Sequence, residues 1–361
     1  MKENRRKKWK PFFWYFGAWA IALILFDFIR QFGVGSMLKH PELDNFFLEN
    51  LGISIFFIFI EAFIAALFYT KIAQFVFSPK FRRKSYFYII ANFSAIHLAG
   101  FIAVTFVLII VSIFLERPDH SFLEFTLNVI TNKDLFVILI YSLFIGDILI
   151  CATLITNRFG QGVLLNIMLG KYHRPQEQDR IFMFLDLKSS TSYAEKLGHI
   201  RYSEMIQDCF YDLTDSIDKH DVEIYQYVGD EAVLTWNVEK GLIDNNCIEA
   251  FYTFQEIIKR KKDYYIEKYG IVPEFKAGVN MGKVTVAEVG VIKREIAYHS
   301  DVLNTASRIQ GKCNDFGHNI LISGMLREQI KNTRGLVTDL MGNIILKGKK
   351  KTVDVYAVSK A

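Results

Sequence analysis

The sequence predicts a four-helix transmembrane bundle followed by a soluble domain of mixed strands and helices. Two observations carry this. Within the first 156 residues, four runs (12–32, 51–77, 86–115 and 135–156) are dominated by Phe, Ile, Leu, Ala and Val. Each reaches the ~20 residues that cross a bilayer core. After residue 170, charge becomes dense and apolar runs shrink to strand length. The 361 residues therefore divide into a membrane domain (1–156), a linker (157–179) and a soluble domain (180–361) of ordinary size.

The loops orient the spans, because Lys and Arg near span ends resist translocation. Six basic residues lie in the first ten: Lys2, Arg5, Arg6, Lys7, Lys8 and Lys10. Five more accompany the second connection: Lys71, Lys80, Arg82, Arg83 and Lys84. The first connection has only Arg30 and Lys39, and the third only Arg117 and Lys133. This asymmetry predicts that both termini are cytoplasmic, and a plasma (inner) membrane protein is expected. The net charge of +5 then needs no nucleic acid as partner, since its clusters can meet anionic lipid headgroups. The N-terminus is too poor in small residues after its apolar run to predict a cleaved signal peptide.

Each span holds one conspicuous ionisable residue: Asp27, Glu61, His97 and Asp147. Such groups are costly in lipid, so they are expected to face the bundle interior, pair, or line a wet cavity. Polar contacts that fix helix packing account for all four; sensing of an ion, proton or small molecule is the functional alternative. In the linker, a short apolar segment (163–169) is framed by Gly160, Gly162 and Gly170 and followed by Pro175. It is too short to span and reads as a transmitter between bundle and soluble domain. Cys151, Cys209, Cys247 and Cys313 share no metal-ligand spacing and are expected as free thiols.

Residues 180–187 (RIFMFLDL) form an apolar run with Asp186 near its end, followed by Lys188, Ser189, Ser190 and Thr191. A buried strand is predicted, then a helix whose start is marked by Ser192 and Glu195 at capping-box spacing. A carboxylate there can hold a divalent cation, and the amides of 188–192 can receive a polyphosphate. Alone this carries little, since many buried strands end in Asp. A helical pattern follows over 202–220, with Met205, Ile206, Cys209, Phe210, Leu213 and Ile217 on one face. Then comes IYQYVGDEAVLTW (224–236), two strand-like runs joined by Gly229 and Asp230. An ordinary turn explains Gly-Asp equally well. If strand, helix and hairpin pack as one unit, Asp186 and Asp230 meet at neighbouring strand ends, where shared Mg²⁺ ions relieve their repulsion.

A second helical run (248–268) leads into strands at 274–280 and 283–289. From Asp301, a helix face forms from Val302, Leu303, Ala306, Ile309 and Cys313, while Asn304 and Arg308, at i and i+4, project together. An amide and a guanidinium so placed can bind a sugar oxygen and phosphate oxygens. Without the two aspartates they would read as a surface pair. The tail gives a strand (344–346), a basic turn (347–351) and a strand (353–358). Lys347 or Lys349, each flanking Gly348, can reach terminal phosphates, although basic turns are usually just solvated.

In order, FLDLKSST, YVGDEAVLTW, AYHSDVLNTASRIQ and LKGKKKTVDVYAV resemble the class III nucleotidyl cyclases, the adenylate and guanylate cyclase family, over residues 180–358. The resemblance implies a ferredoxin-like α+β core and a head-to-tail homodimer with active sites at its interface. It assigns Asp186 and Asp230, with the Leu187 backbone carbonyl, to two Mg²⁺ (or Mn²⁺) ions. Asn304 and Arg308 match the transition-state pair; Ser189, Ser190, Thr191 and Lys347 or Lys349 fall at phosphate-contacting positions. The implied reaction is attack of a ribose 3′-hydroxyl on the α-phosphorus of the same nucleoside triphosphate, with pyrophosphate leaving.

Two positions depart from the family pattern. Gln226 stands where many adenylate cyclases carry a purine-reading Lys, and Ala297 falls where an Asp or Thr is usual, with His299 or Ser300 as spatial substitutes. Gln can face either purine edge, so ATP, favoured as the commoner substrate of the family, has GTP as its alternative. A catalytically silent nucleotide-binding membrane sensor is the rival of a different class. A diguanylate cyclase is disfavoured: VGDE lacks the preceding Gly and the final Phe of the GGDEF signature.

Overall fold

A computed structural model of the chain describes residues 2–32, 51–76, 84–116, 122–159, 169–292, 294–331, 335–344 and 352–361. It divides into two units, Met1–Phe159 and Gly160–Ala361. The apolar part of the linker, 163–168, and the turn holding Lys347 and Lys349 lie outside the described residues.

The first unit holds α1 (Lys2–Phe32), α2 (Leu51–Val76), α3 (Tyr86–Glu116), the nine-residue α4 (Phe122–Ile130) and α5 (Lys133–Phe159). Four of these contain segments long and apolar enough to cross a membrane: Pro11–Ile29, Ile55–Phe75, Tyr86–Val111 and Leu135–Thr156. Phe12, Tyr15 and Trp19 of α1 pack with Ala62, Ala66 and Tyr69 of α2, Phe93 of α3 and Ile150 of α5. The small Ala62 and Ala66 let the helices approach closely.

Polar groups then find partners inside. His97 is buried, its Nδ1 against the Tyr69 hydroxyl and its Nε2 3.2 Å from Ser142 Oγ. Ser94 donates to Asp147 Oδ1 at 2.7 Å. Gly146 makes room for this cluster, since a Cβ there would lie 2.1 Å from the Tyr69 hydroxyl. Glu61 is exposed on the bundle surface rather than turned inward, close enough to the half-buried Asp27 for the two to repel. The inward stripe of α2 runs through positions 62, 66, 69 and 73, and Glu61 falls one residue off it.

The second unit begins with β1 (Gln176–Leu187), α6 (Ser190–Lys219), β2 (Glu223–Val228) and β3 (Glu231–Asn237). A short α7 (Val238–Leu242) precedes α8 (Asn246–Arg260), α9 (Lys262–Tyr269) and β4 (Phe275–Val289). Next come β5 (Glu295–His299), α10 (Asp301–Gly311), α11 (Cys313–Phe316), β6 (Ile320–Ser323), α12 (Gly324–Gln329), β7 (Leu336–Ile344) and β8 (Val353–Lys360). The sheet order is β2-β3-β1-β4-β6-β8-β7, with β5 paired to β4. Neighbours among its first four strands pair antiparallel, the split βαββαβ arrangement of the ferredoxin-like fold.

Alternation along β1 sets the two faces of the sheet. Ile181, Met183, Leu185 and Leu187 enter the core with Met205, Cys209 and Leu213 of α6 and Phe251 and Phe254 of α8. Phe182 and Phe184 face the other way, with Val233, Val284, Val286 and Ala306 of α10. Asp186 shares that second face by its even position. Three cysteines, 209, 247 and 313, are buried free thiols, and Cys151 is a half-buried one.

Three elements differ from the sequence-based expectation. α6 begins at Ser190 rather than around Ser192, because Ser189 takes the left-handed conformation at the cap position (φ 55°) and makes no side-chain cap bond. The 248–268 run breaks at Lys261 into α8 and α9, and the two strands expected over 274–289 are one.

Candidate active site

Asp186 sits one residue from the end of β1, and Asp230 follows Gly229 (φ 63°) in the β2–β3 turn. The left-handed Gly229 turns the chain sharply and leaves Asp230 at the strand end beside β1. The register places Glu231 of β3 and Lys276 of β4 on either side of Asp186. Three carboxyl groups therefore face one cation. Lys276 Nζ lies 3.6 Å from Asp186 Oδ2, and the same oxygen accepts from Gln310 Nε2 at 2.8 Å. The Tyr202 hydroxyl, from α6, donates to Asp230 and also meets Ser190.

The electrostatics follow from that imbalance. Burial raises the Asp186 carboxyl, the Asp230 charge raises it further, and Lys276 and Gln310 oppose both. Burial, then Asp186 and Asp230, push Glu231 up to about 7. Burial and the neighbouring Asp230 push Tyr202 up to about 12. Asp230 Oδ2 is buried and has no hydrogen-bond partner among the described residues. A bare, buried carboxylate oxygen in an under-compensated acidic site is what a divalent cation would satisfy. Among the described residues, no three His, Cys, Asp or Glu converge as a cage. Mg²⁺ does not ask for one, since it is commonly held by one or two carboxylates plus substrate phosphates.

The other predicted residues are spread around this centre. Ser189 is exposed, Ser190 is half-buried beside Tyr202, and Thr191 is exposed in the first turn of α6. Amides of a first helical turn lack intrahelical partners and point to an incoming anion. The Lys188 amide is an exception to the expected donor set, because it bonds the Glu274 carbonyl at 2.8 Å. Asn304 is exposed and Arg308 half-buried on α10, and neither contacts Asp186 or Asp230 of its own chain by hydrogen bond or ion pair. Gln226 is exposed on β2 next to a bulge; Ala297 pairs with Ala287, and the exposed His299 with Thr285. Ser300 caps α10, accepting from the Val302 amide and donating to the Lys283 carbonyl, which leaves it poorly suited to reading a base.

Tyr202, Glu231, Lys276 and Gln310 belong to the site without having been singled out in the sequence. Glu231 adjoins Asp230, and strand alternation was the available signal for it; the other three depend on long-range register and helix placement.

Residues 173–360 match the family model described as the adenylate and guanylate cyclase catalytic domain. Adenylate cyclase 2 of Rhizobium meliloti (strain 1021) is 30% identical over 222 residues, covering 62% of this chain and 61% of that protein. The receptor-type guanylate cyclase gcy-4 of Caenorhabditis elegans is 24% identical over 195 residues, covering 50% of this chain and 16% of that protein. The chain spans less than two thirds of the length of these relatives. A solved bacterial light-regulated adenylyl cyclase shares the fold with a TM-score of 0.50 at 19% identity, covering 63% of this chain and 67% of that one. Matched over more than half its length, the chain belongs to the adenylate and guanylate cyclase catalytic-domain family, the class III nucleotidyl cyclases.

Proposed function

We propose that this is a membrane-anchored adenylate cyclase that converts ATP to 3′,5′-cyclic AMP and pyrophosphate at a homodimer interface, with both termini cytoplasmic. The observation that carries the reading is Asp186 and Asp230 at adjoining strand ends, with Asp230 Oδ2 buried and unpartnered. These two and the Leu187 carbonyl would hold two Mg²⁺ or Mn²⁺ ions. Bound there, the ions supply Lewis-acid charge at the 3′-oxygen and the triphosphate.

The chain's own groups bind and orient the substrate. The first turn of α6, with Ser189, Ser190 and Thr191, receives phosphate oxygens, and Lys347 or Lys349 meets the terminal phosphates. Arg308 brings fixed positive charge to the α-phosphoryl group, and Asn304 orients the ribose. Neither bonds Asp186 or Asp230 of its own chain, which supports a site completed by α10 of a second copy, so that a homodimer has two sites. Gln226, Ala297 and His299 are the base-reading candidates. ATP is favoured by similarity to adenylate cyclase 2, and Gln226, able to face either purine edge, makes GTP the second reading.

Product analysis on full-length protein, with ATP and GTP in Mg²⁺ and in Mn²⁺, tests this. Cyclic AMP that disappears in Asp186→Ala is the expected result. Predominant cyclic GMP overturns the base assignment, and nucleotide binding without product in wild type identifies a silent sensor.

A further inference from the structure

Gln310 lies two residues beyond Arg308 on α10, is only 6% exposed, and donates its Nε2 hydrogen to Asp186 Oδ2 at 2.8 Å. Its reach is set by backbone rather than by a wandering side chain. At Gly278 of β4, an added Cβ would lie 2.2 Å from the Gln310 amide nitrogen and 2.4 Å from the Ala306 carbonyl oxygen. Helix and strand therefore touch directly at this point, and just past α10 Cys313 Sγ donates to the Ala277 carbonyl at 3.4 Å. The contact holds one carboxylate oxygen and leaves Oδ1 for a cation. A neutral amide suits the position: a carboxylate there would repel Asp186, and an ammonium would compete with the cation.

We infer that Gln310 is a positioning residue, whose amide fixes Asp186 for cation binding and ties that carboxylate to the helix bearing Asn304 and Arg308. The inference rests on the metal-binding reading of Asp186 and adds the residue that orients it. Loss of such an outer partner typically weakens metal affinity or activity 10- to 100-fold.

The test is Mn²⁺ titration of full-length protein, with the free ion followed by electron paramagnetic resonance, for wild type, Asp186→Ala, Gln310→Met and Gln310→Asn. Met keeps the length and removes the donor; Asn keeps the amide and shortens its reach. Asp186→Ala is expected to lose the tight Mn²⁺ site. Both Gln310 variants should bind Mn²⁺ about 10-fold or more weakly. They should also raise the Mg²⁺ concentration for half-maximal turnover by a similar factor, with kcat at saturating metal falling less. Thermal unfolding reports whether each variant is folded, and Gln310→Asn, the smaller change, decides if Gln310→Met is not. Wild-type Mn²⁺ affinity in a folded Gln310 variant, beside a deficient Asp186→Ala, overturns the inference and leaves the catalytic reading standing. Wild-type affinity in Asp186→Ala as well overturns both.

Discussion

Asp208 and Asp212, one turn apart on α6, and Asp186 and Asp230, at the ends of two strands, are pairs of the same residue in one domain with opposite surroundings. Asp208 Oδ2 accepts from Tyr264 at 2.7 Å, Lys268 at 2.7 Å and Tyr269 at 2.6 Å; Asp212 accepts from Lys261 at 2.6 Å and Tyr265 at 2.9 Å. Burial alone would raise the Asp208 carboxyl, but the bonds from Lys268, Tyr269 and Tyr264 hold it below its ordinary value. At the other pair, Gln310 and a more distant Lys276 serve Asp186, Tyr202 serves Asp230, and one buried oxygen is left bare. Burial of a carboxylate is thus no guide to its role. The supply of donors is: a saturated acid ties elements together, and an under-supplied one is free to bind something else.

Neutralising one acid of each pair separates the two roles most directly. Asp230→Asn is expected to abolish cyclic nucleotide formation while leaving the metal-free protein as stable as wild type or more so, because it removes a charge that repels Asp186 and has one buried oxygen bare. Asp208→Asn is expected to keep turnover per folded molecule and lower the unfolding temperature. Product formation and thermal melts on the two variants decide, and a folded but inactive Asp208→Asn would end the distinction.

Gly278→Ala attacks the geometry beneath the under-supplied pair. The new methyl meets backbone atoms of α10 at 2.2 to 2.6 Å, so the helix must lift from β4. Overpacking of this kind costs about 1 to 3 kcal/mol. A shift of the order of 1 Å in positioned groups lowers turnover about 10²-fold. Steady-state kinetics on the variant, with urea unfolding alongside, separates the two effects.

How far the site could be read in advance follows from which contacts are local. The run RIFMFLDL, the Gly-Asp turn and the apolar face of α10 all announce themselves through short periods, so the strand-end positions of Asp186 and Asp230 and the shared helix of Asn304 and Arg308 were legible. Lys276 and Gln310 were not, because one depends on the β1–β4 register and the other on how closely a helix rides over Gly278. The membrane helices fail differently. They are apolar all round, so nothing in their sequence separates an inward position from an outward one, and the inward stripe of α2 passes beside Glu61 rather than through it. Similarly, Ser192 and Glu195 have capping-box spacing, yet the left-handed Ser189 starts the helix two residues sooner.

Stability measurements sharpen the saturated side. Asp208→Ala removes three hydrogen bonds to a buried carboxylate and leaves Lys268, about a third exposed, able to rehydrate. A loss of about 2 to 3 kcal/mol is expected, less than for a fully buried pair. The pH dependence has a definite sign. Because the folded-state carboxyl is held below its ordinary value of 3.8, its contribution is complete above that value and is lost as pH falls through the lower folded-state one. Acid unfolding of wild type and Asp208→Ala should therefore converge toward low pH and differ most near neutrality.

The smallest effects are expected in the bundle, where the same criterion applies to Asp147 and Glu61. Asp147 accepts from Ser94 inside the bundle, and Asn can accept the same bond. Asp147→Asn should therefore cost under about 1 kcal/mol, the range of single polar contacts between membrane helices. Turnover of the full chain in nanodiscs should stay close to that of wild type. Glu61 is exposed beside Asp27, and a carboxylate so placed is costly in lipid and a default candidate for function. Glu61→Gln is thus the variant expected to alter how turnover responds to pH or an external signal. If neither substitution changes output under any stimulus or pH tried, these carboxylates only pack helices, and the bundle's role in sensing through them is lost.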